Sequence, residues 1–268
     1  MTSLCKKWLI KFKAVFFLVL VFSMTPILCY ADPSIEKLIQ DRLSEDKKTL
    51  NLSGANIGTR GAKILAGLSL FSKVETLLLQ GNMIRYSGIK AIAKSPYSVN
   101  LKNLDLWGNM IGDMGLKVLS ESKYIQRLEV LKLWKNEIGD DSLELLTRSS
   151  NFKQLKTLML NDNMVTPIGA GYLSNPEIFP NLETMNLFRN SIGDEGASTF
   201  ASSKPFVNLK FLYIGENNLS DIGAIALIKS DSFPKLELLD MVKNHLSESA
   251  AIAAFTRQKN QKIQIIIR

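Results

Sequence analysis

Seven asparagines recur every 27 residues without a slip: Asn82, Asn109, Asn136, Asn163, Asn190, Asn217 and Asn244. Each closes the same phrase, as in Leu104-Asp105-Leu106-Trp107-Gly108-Asn109 and Leu131-Lys132-Leu133-Trp134-Lys135-Asn136. A fixed period of this length belongs to a solenoid, in which each unit buries its apolar face against its neighbours. It also sets a rule for function: a residue present in every unit is scaffold, so partner choice must lie where the units differ.

Aligned on the first leucine of the phrase, the units begin at Leu50, Leu77, Leu104, Leu131, Leu158, Met185, Leu212 and Leu239. The third position is apolar throughout, and residues two apart share one face of a strand. Seven residues after the first leucine runs another apolar ladder, from Ile57 and Ile84 to Leu219 and Leu246. Behind it come Gly112-Asp113, Gly139-Asp140 and Gly193-Asp194, each leading into an apolar run, which predicts an aspartate N-cap and a helix. Each unit therefore reads as strand, turn, helix and return. The asparagine amide, carrying both donors and acceptors, is expected to bond the sharp turn of its own unit and of the next one. On the return segment Phe71, Tyr97, Tyr124, Phe152, Phe179, Phe206 and Phe233 form an aromatic ladder expected to wedge between units.

The ends differ from the middle. Lys6, Lys7, Lys11 and Lys13 precede a mostly apolar stretch closed by Cys29-Tyr30-Ala31, the pattern of a signal peptide over residues 1–31. Broken by Ser23, Thr25 and Pro26, that stretch is short of the ~20 apolar residues a spanning helix needs. Residues 32–47, with Ile35, Leu38, Ile39 and Leu43 at helical spacing, read as an N-terminal capping helix, and 48–268 as the repeat domain. Ala55 stands where the first asparagine would fall. Ile263, Ile265, Ile266 and Ile267 begin a ninth strand whose exposed edge offers self-association.

Removal of the leader would take both cysteines, Cys5 and Cys29, with it. It would lower the charge from +8 to 29 basic minus 25 acidic residues, or +4. No basic stripe is legible along the linear sequence, so nucleic acid is not an expected partner.

The phrase Leu-x-Leu-x-x-Asn-x-Ile-Gly-Asp-x-Gly resembles the leucine-rich repeats of the ribonuclease-inhibitor type over roughly residues 48–267. That class includes the Ran GTPase-activating protein and innate-immune sensor domains, and secreted bacterial proteins with this repeat look similar. The resemblance implies an α/β leucine-rich repeat solenoid, a horseshoe of about eight units with a parallel sheet on the concave face and helices on the convex one. For function it implies less. Ribonuclease inhibitors are cysteine-rich, acidic and cytosolic, and the Ran activator is cytosolic too, whereas this chain carries an export leader. Internalin-like proteins use shorter repeats.

In such a horseshoe the second and fourth strand positions face the concave space. The second positions are Asn51, Leu78, Asp105, Lys132, Met159, Asn186, Tyr213 and Asp240; the fourth are Ser53, Gln80, Trp107, Trp134, Asn161, Phe188, Gly215 and Val242. Trp107 and Trp134 fall in one column on neighbouring strands, about 4.8 Å apart. Exposed aromatics of this kind make interface hot spots. Leu78, Asp105, Trp107, Lys132, Trp134, Met159, Phe188 and Tyr213 are the expected contacts for another protein. Catalysis is not expected: His245 is a lone turn residue, the glycines occur singly, and Asp105 and Asp240 lie five units apart. Neither cofactor, metal nor small-molecule substrate is implied, and membrane contact is expected only through an uncleaved leader. A GTPase activator and a self-associating envelope protein are the alternatives.

Overall fold

The computed structural model describes residues 33–268, so the signal peptide expected over residues 1–31 lies outside the described residues. The chain divides into residues 1–34 and a repeat unit, Ile35–Arg268. The nine strands of that unit are β1 (Thr49–Asn51), β2 (Thr76–Leu78), β3 (Asn103–Asp105), β4 (Val130–Lys132), β5 (Thr157–Met159), β6 (Thr184–Asn186), β7 (Phe211–Tyr213), β8 (Leu238–Asp240) and β9 (Gln264–Ile266). They form one open parallel sheet in strict chain order. The register is leucine on leucine, Leu50↔Leu77 and Leu77↔Leu104, up to Leu239↔Ile265. The described helices are α1 (Pro33–Asp41), α2 (Gly58–Gly67), α3 (Arg85–Lys94), α4 (Gly112–Ser120), α5 (Asp140–Leu146), α6 (Pro167–Leu173), α7 (Gly193–Ala201), α8 (Asp221–Lys229) and α9 (Glu248–Asn260). From α2 onward they pack side by side along the other face. The expected α/β solenoid is therefore what forms.

Its core is the set of columns that the period defines. The leucines of the phrase, the Ile57-to-Leu219 ladder and the phenylalanines of the return segment are buried, while Tyr97, Tyr124 and Leu246 are partly so. Strands stack about 4.8 Å apart and helices need 8–10 Å, which curves such a stack toward its sheet.

Polar ladders tie unit to unit, and two run otherwise than the sequence suggests. The asparagines reach back, not forward. Asn136 Oδ1 accepts from the backbone N–H groups of Asn109 and Ile111 (3.1 and 3.4 Å), and its Nδ2 donates to Leu106 O (2.8 Å) and Trp134 O (3.1 Å). Asn109 does the same to Asn82 and Ile84. This explains Ala55: the first unit has no preceding repeat turn for an amide to bond. The aspartates are not the N-caps the sequence suggests. The α4 cap position is Ile111, without a side-chain bond, and Asp113 lies inside the helix. These carboxylates reach forward to the next helix start: Asp113 accepts from Gly139 N–H and the Ser142 hydroxyl, and Asp194 from the N–H groups of Ser220 and Gly223. Thr166, Ser220 and Ser247 are the side-chain caps, of α6, α8 and α9. Serines complete the set: Ser95, Ser122 and Ser149 donate to Ala66 O, Ala93 O and Ser120 O near the end of the preceding helix.

Two positions before the first leucine the side chains alternate in sign: Lys48, Glu75, Lys102, Glu129, Lys156, Glu183, Lys210 and Glu237. Like charges on strands this close would repel; alternation gives ion pairs instead, Glu75 with Lys48 (3.0 Å) and Lys102 (2.6 Å), Glu129 with Lys156 (2.7 Å), Glu183 with Lys210 (2.8 Å). Those lysines hold the three carboxyls below the usual carboxylate range.

At the sheet edges, the 42–44 segment bonds along β1 (Asn51 N to Arg42 O, 3.3 Å). On β9, the Ile265 N–H is taken by Gln258 Oε1 at 2.7 Å, so one donor of the edge proposed for self-association is already occupied.

Candidate interaction face of the sheet

The outward face of the sheet is built from the two variable strand positions. Short polar side chains in the second position brace the fourth. Asp105 Oδ1 accepts from Trp107 N–H (3.2 Å), Asn186 Oδ1 from Phe188 N–H (2.9 Å), and Asp240 Oδ1 from Val242 N–H (3.0 Å). Asp105 is only 5% exposed. Gln80 Nε2 donates to its other oxygen (2.8 Å) and Lys132 Nζ sits 3.5 Å away. Asp105 thus lies beneath the surface, where it positions Trp107 and Lys132.

Above it the two indoles stack, ring centroids 4.7 Å apart and planes 13° from parallel. The strand spacing dictates that distance, and fused aromatic faces gain from it. Each indole nevertheless remains about two-fifths exposed, Trp107 at 41% and Trp134 at 39%. Leu78, Lys132, Met159, Phe188 and Tyr213 are half-buried. The structure does not gather all eight expected residues into one cluster. Leu78 and Tyr213 stand five strand steps apart, roughly 24 Å.

Phe188 forms a second centre. A Cβ on Gly215 would fall 2.6 Å from the Phe188 ring and 2.8 Å from Val242 O, so the ring lies over the bare backbone of the next unit. Lys243 Nζ stands 5.9 Å from the centroid of the same ring. Beside it Glu216 pairs with Arg189 Nε (2.7 Å) and Lys243 Nζ (2.8 Å). The two cations pull its carboxyl down to about 2. Sequence reasoning missed the Phe188–Gly215 packing, whose one signal is a lone glycine in a column of larger residues.

The next position forms the rim. In the first three units it is glycine in the left-handed region, Gly54, Gly81 and Gly108 (φ 62, 64 and 64°). The following five keep that backbone but carry Lys135, Asp162, Arg189, Glu216 and Lys243 (φ 49 to 57°). Left-handed backbone costs a residue with a Cβ about 1 kcal/mol, so five units hold charged side chains where glycine would be cheaper. The rim beside Trp107 is consequently bare and the rim beside Trp134 and Phe188 is charged.

Among the described residues no group of three or more His, Cys, Asp or Glu side chains could hold a metal ion. His245 is exposed in its turn, its backbone N–H bonded to Leu219 O at 2.8 Å.

The family described as "Leucine Rich repeat" matches residues 48–66, 180–201 and 207–227. Those matched segments fall in a chain whose geometry is that of a leucine-rich repeat solenoid. No curated protein matches it in sequence. Similar solved structures include the ectodomain of the Arabidopsis receptor kinase HAESA, in complex with an N-terminally extended IDA peptide hormone. It is 19% identical with a TM-score of 0.39, over 62% of this chain and 25% of that one. A chain of the octameric complex of Latrophilin 3, Unc5D and FLRT2 is 21% identical with a TM-score of 0.41, over 73% and 61%. A TDR receptor is 15% identical with a TM-score of 0.40, over 92% and 48%. The chain thus spans between a quarter and about three fifths of their lengths.

Proposed function

We propose that this is an exported, non-enzymatic leucine-rich repeat protein of the ribonuclease-inhibitor-like type that recognises another protein through its sheet face. The observation that carries the reading is the exposed Trp107–Trp134 stack. Neighbouring units place Gln80 and Asn161 in the same column, so the scaffold does not require indoles there. Exposed aromatic pairs at the centre of a polar surface are the usual anchors of protein interfaces. Phe188 and Tyr213 provide the second apolar anchor, and Lys132, Lys135, Asp162 and the Arg189–Glu216–Lys243 group the polar surround. Export rests on the leader pattern; no described helix is long and apolar enough to cross a membrane.

The test pairs affinity capture with spectroscopy. Trp107→Ala combined with Trp134→Ala is expected to abolish capture of the partner while circular dichroism stays unchanged. Unfolding of the double variant would assign the stack to shielding the sheet instead.

A further inference from the structure

We propose that the outer face of helices α2, α3 and α4 docks onto an anionic phospholipid bilayer, an interaction separate from the sheet face. The solenoid assembles there what the linear sequence disperses. Lys63, Lys90 and Lys117 occupy the same place in three consecutive helices that pack side by side. At 8–10 Å per helix they form a row on the order of 20 Å long. The scaffold does not ask for lysine: later units carry Glu144, Gly171, Ser198, Ile225 and Ile252 in that column. Arg60, Lys73, Arg85 and Lys94 add to the same stretch, so residues 58–94 hold six basic side chains against one acidic, Glu75. Glu75 itself is engaged by Lys48 and Lys102. Residues 137–195 hold nine acidic against four basic, so the modest charge of the whole conceals a strongly polarised molecule.

Two carboxylates temper the row at its α4 end: Asp113, bonded to Gly139 N–H and the Ser142 hydroxyl, and Glu121, paired with Lys117 at 3.9 Å. Lys63 is exposed, and Lys90 lies over the Tyr86 ring at 5.3 Å. Tyr86, the one aromatic of these three helices, is half-buried beneath that lysine, so the face offers no stacking plane for a nucleobase. Met114, 51% exposed one turn before Lys117, adds an apolar side chain at headgroup depth. A basic row with an apolar side chain beside it fits peripheral binding to acidic lipid, each cation adding to the attraction.

The experiment is vesicle co-sedimentation of the full chain with phosphatidylcholine alone and with phosphatidylcholine containing phosphatidylglycerol. Binding to the acidic vesicles is expected to exceed binding to phosphatidylcholine alone, which reads any contribution of the leader, and that excess is expected to weaken as salt rises from 0.1 to 0.5 M. Lys63→Ala, Lys90→Ala and Lys117→Ala together should lower that partitioning on the order of a hundredfold. Changing Lys153, Lys235 and Lys259 to alanine removes the same charge elsewhere and should leave it nearly unchanged. Circular dichroism confirms the fold of both variants, and both retain any contribution of the leader. Equal loss in the two triple variants, or no loss in the first, would overturn the proposal. So would binding to a DNA duplex as tight as to the acidic vesicles at the same salt.

Discussion

Replacing Asn136 with alanine tests how the units are joined. Asn136 is fully buried and makes four bonds. Its loss does not orphan all four partners. Leu106 O keeps the Asn109 Nδ2 donor (2.9 Å) and Trp134 O keeps Gly108 N–H (2.9 Å). The Asn109 N–H loses its partner outright, and the Ile111 N–H loses a bond that is long at 3.4 Å. One buried orphaned donor costs about 1–3 kcal/mol; with a partial second and a small void, Asn136→Ala should destabilise by about 2–4 kcal/mol. Asn163, at the same position one unit on, is only half-buried, so water can replace its bonds and its alanine variant should cost about 1 kcal/mol. Urea unfolding followed by circular dichroism and tryptophan fluorescence measures both. Because stability in a solenoid is a sum of unit and interface terms, the Asn136 variant should also show a shallower transition, its halves decoupled. Equal stability of Asn136→Ala and the parent, or a larger loss at Asn163, would refute the backward-bridging wiring.

Three further outcomes follow from the same geometry. Asp194 is pushed up by burial but brought below the usual carboxylate range by the Ser220 hydroxyl and the backbone N–H groups of Ser220 and Gly223; Asp194→Ala should cost about 1–3 kcal/mol in urea and loosen the start of α8 in hydrogen exchange. Glu216 has its carboxyl lowered to about 2 by Arg189 and Lys243, so its contribution is complete above the unfolded value near 4.5 and lost as pH falls through about 2. The urea midpoint of Glu216→Gln should accordingly lie below the parent at pH 6 and meet it near pH 2. Gly215→Ala must displace Phe188 or the Val242 backbone and should cost about 1–3 kcal/mol by thermal unfolding, whereas a neutral result would contradict the ring's placement.

The 27-residue period made the fold legible, because one spacing assigned every residue a column and most columns a face. The Trp107–Trp134 contact followed directly, since strand spacing alone brings two residues of one column together. Direction was not legible. An asparagine or aspartate at a fixed spacing looks the same whether it bonds the unit before or the unit after, and only the turn geometry decides. The burial of Asp105 was hidden for a related reason: a strand position facing outward can still be roofed by its neighbours, here Gln80 and Lys132. The lysine row of α2–α4 and the alternating Lys48-to-Glu237 column fall outside the leucine phrase. Their members stand 27 residues apart, so a search for contiguous charge passes over both.

The most direct measurement is affinity capture of the partner with three baits: the parent, the Trp107→Ala/Trp134→Ala variant, and the Lys63→Ala/Lys90→Ala/Lys117→Ala variant. Recognition through the sheet face predicts that a protein held by the parent is lost from the tryptophan variant and kept by the lysine variant, with circular dichroism the same for all three. A protein retained equally by the folded tryptophan variant would contradict it.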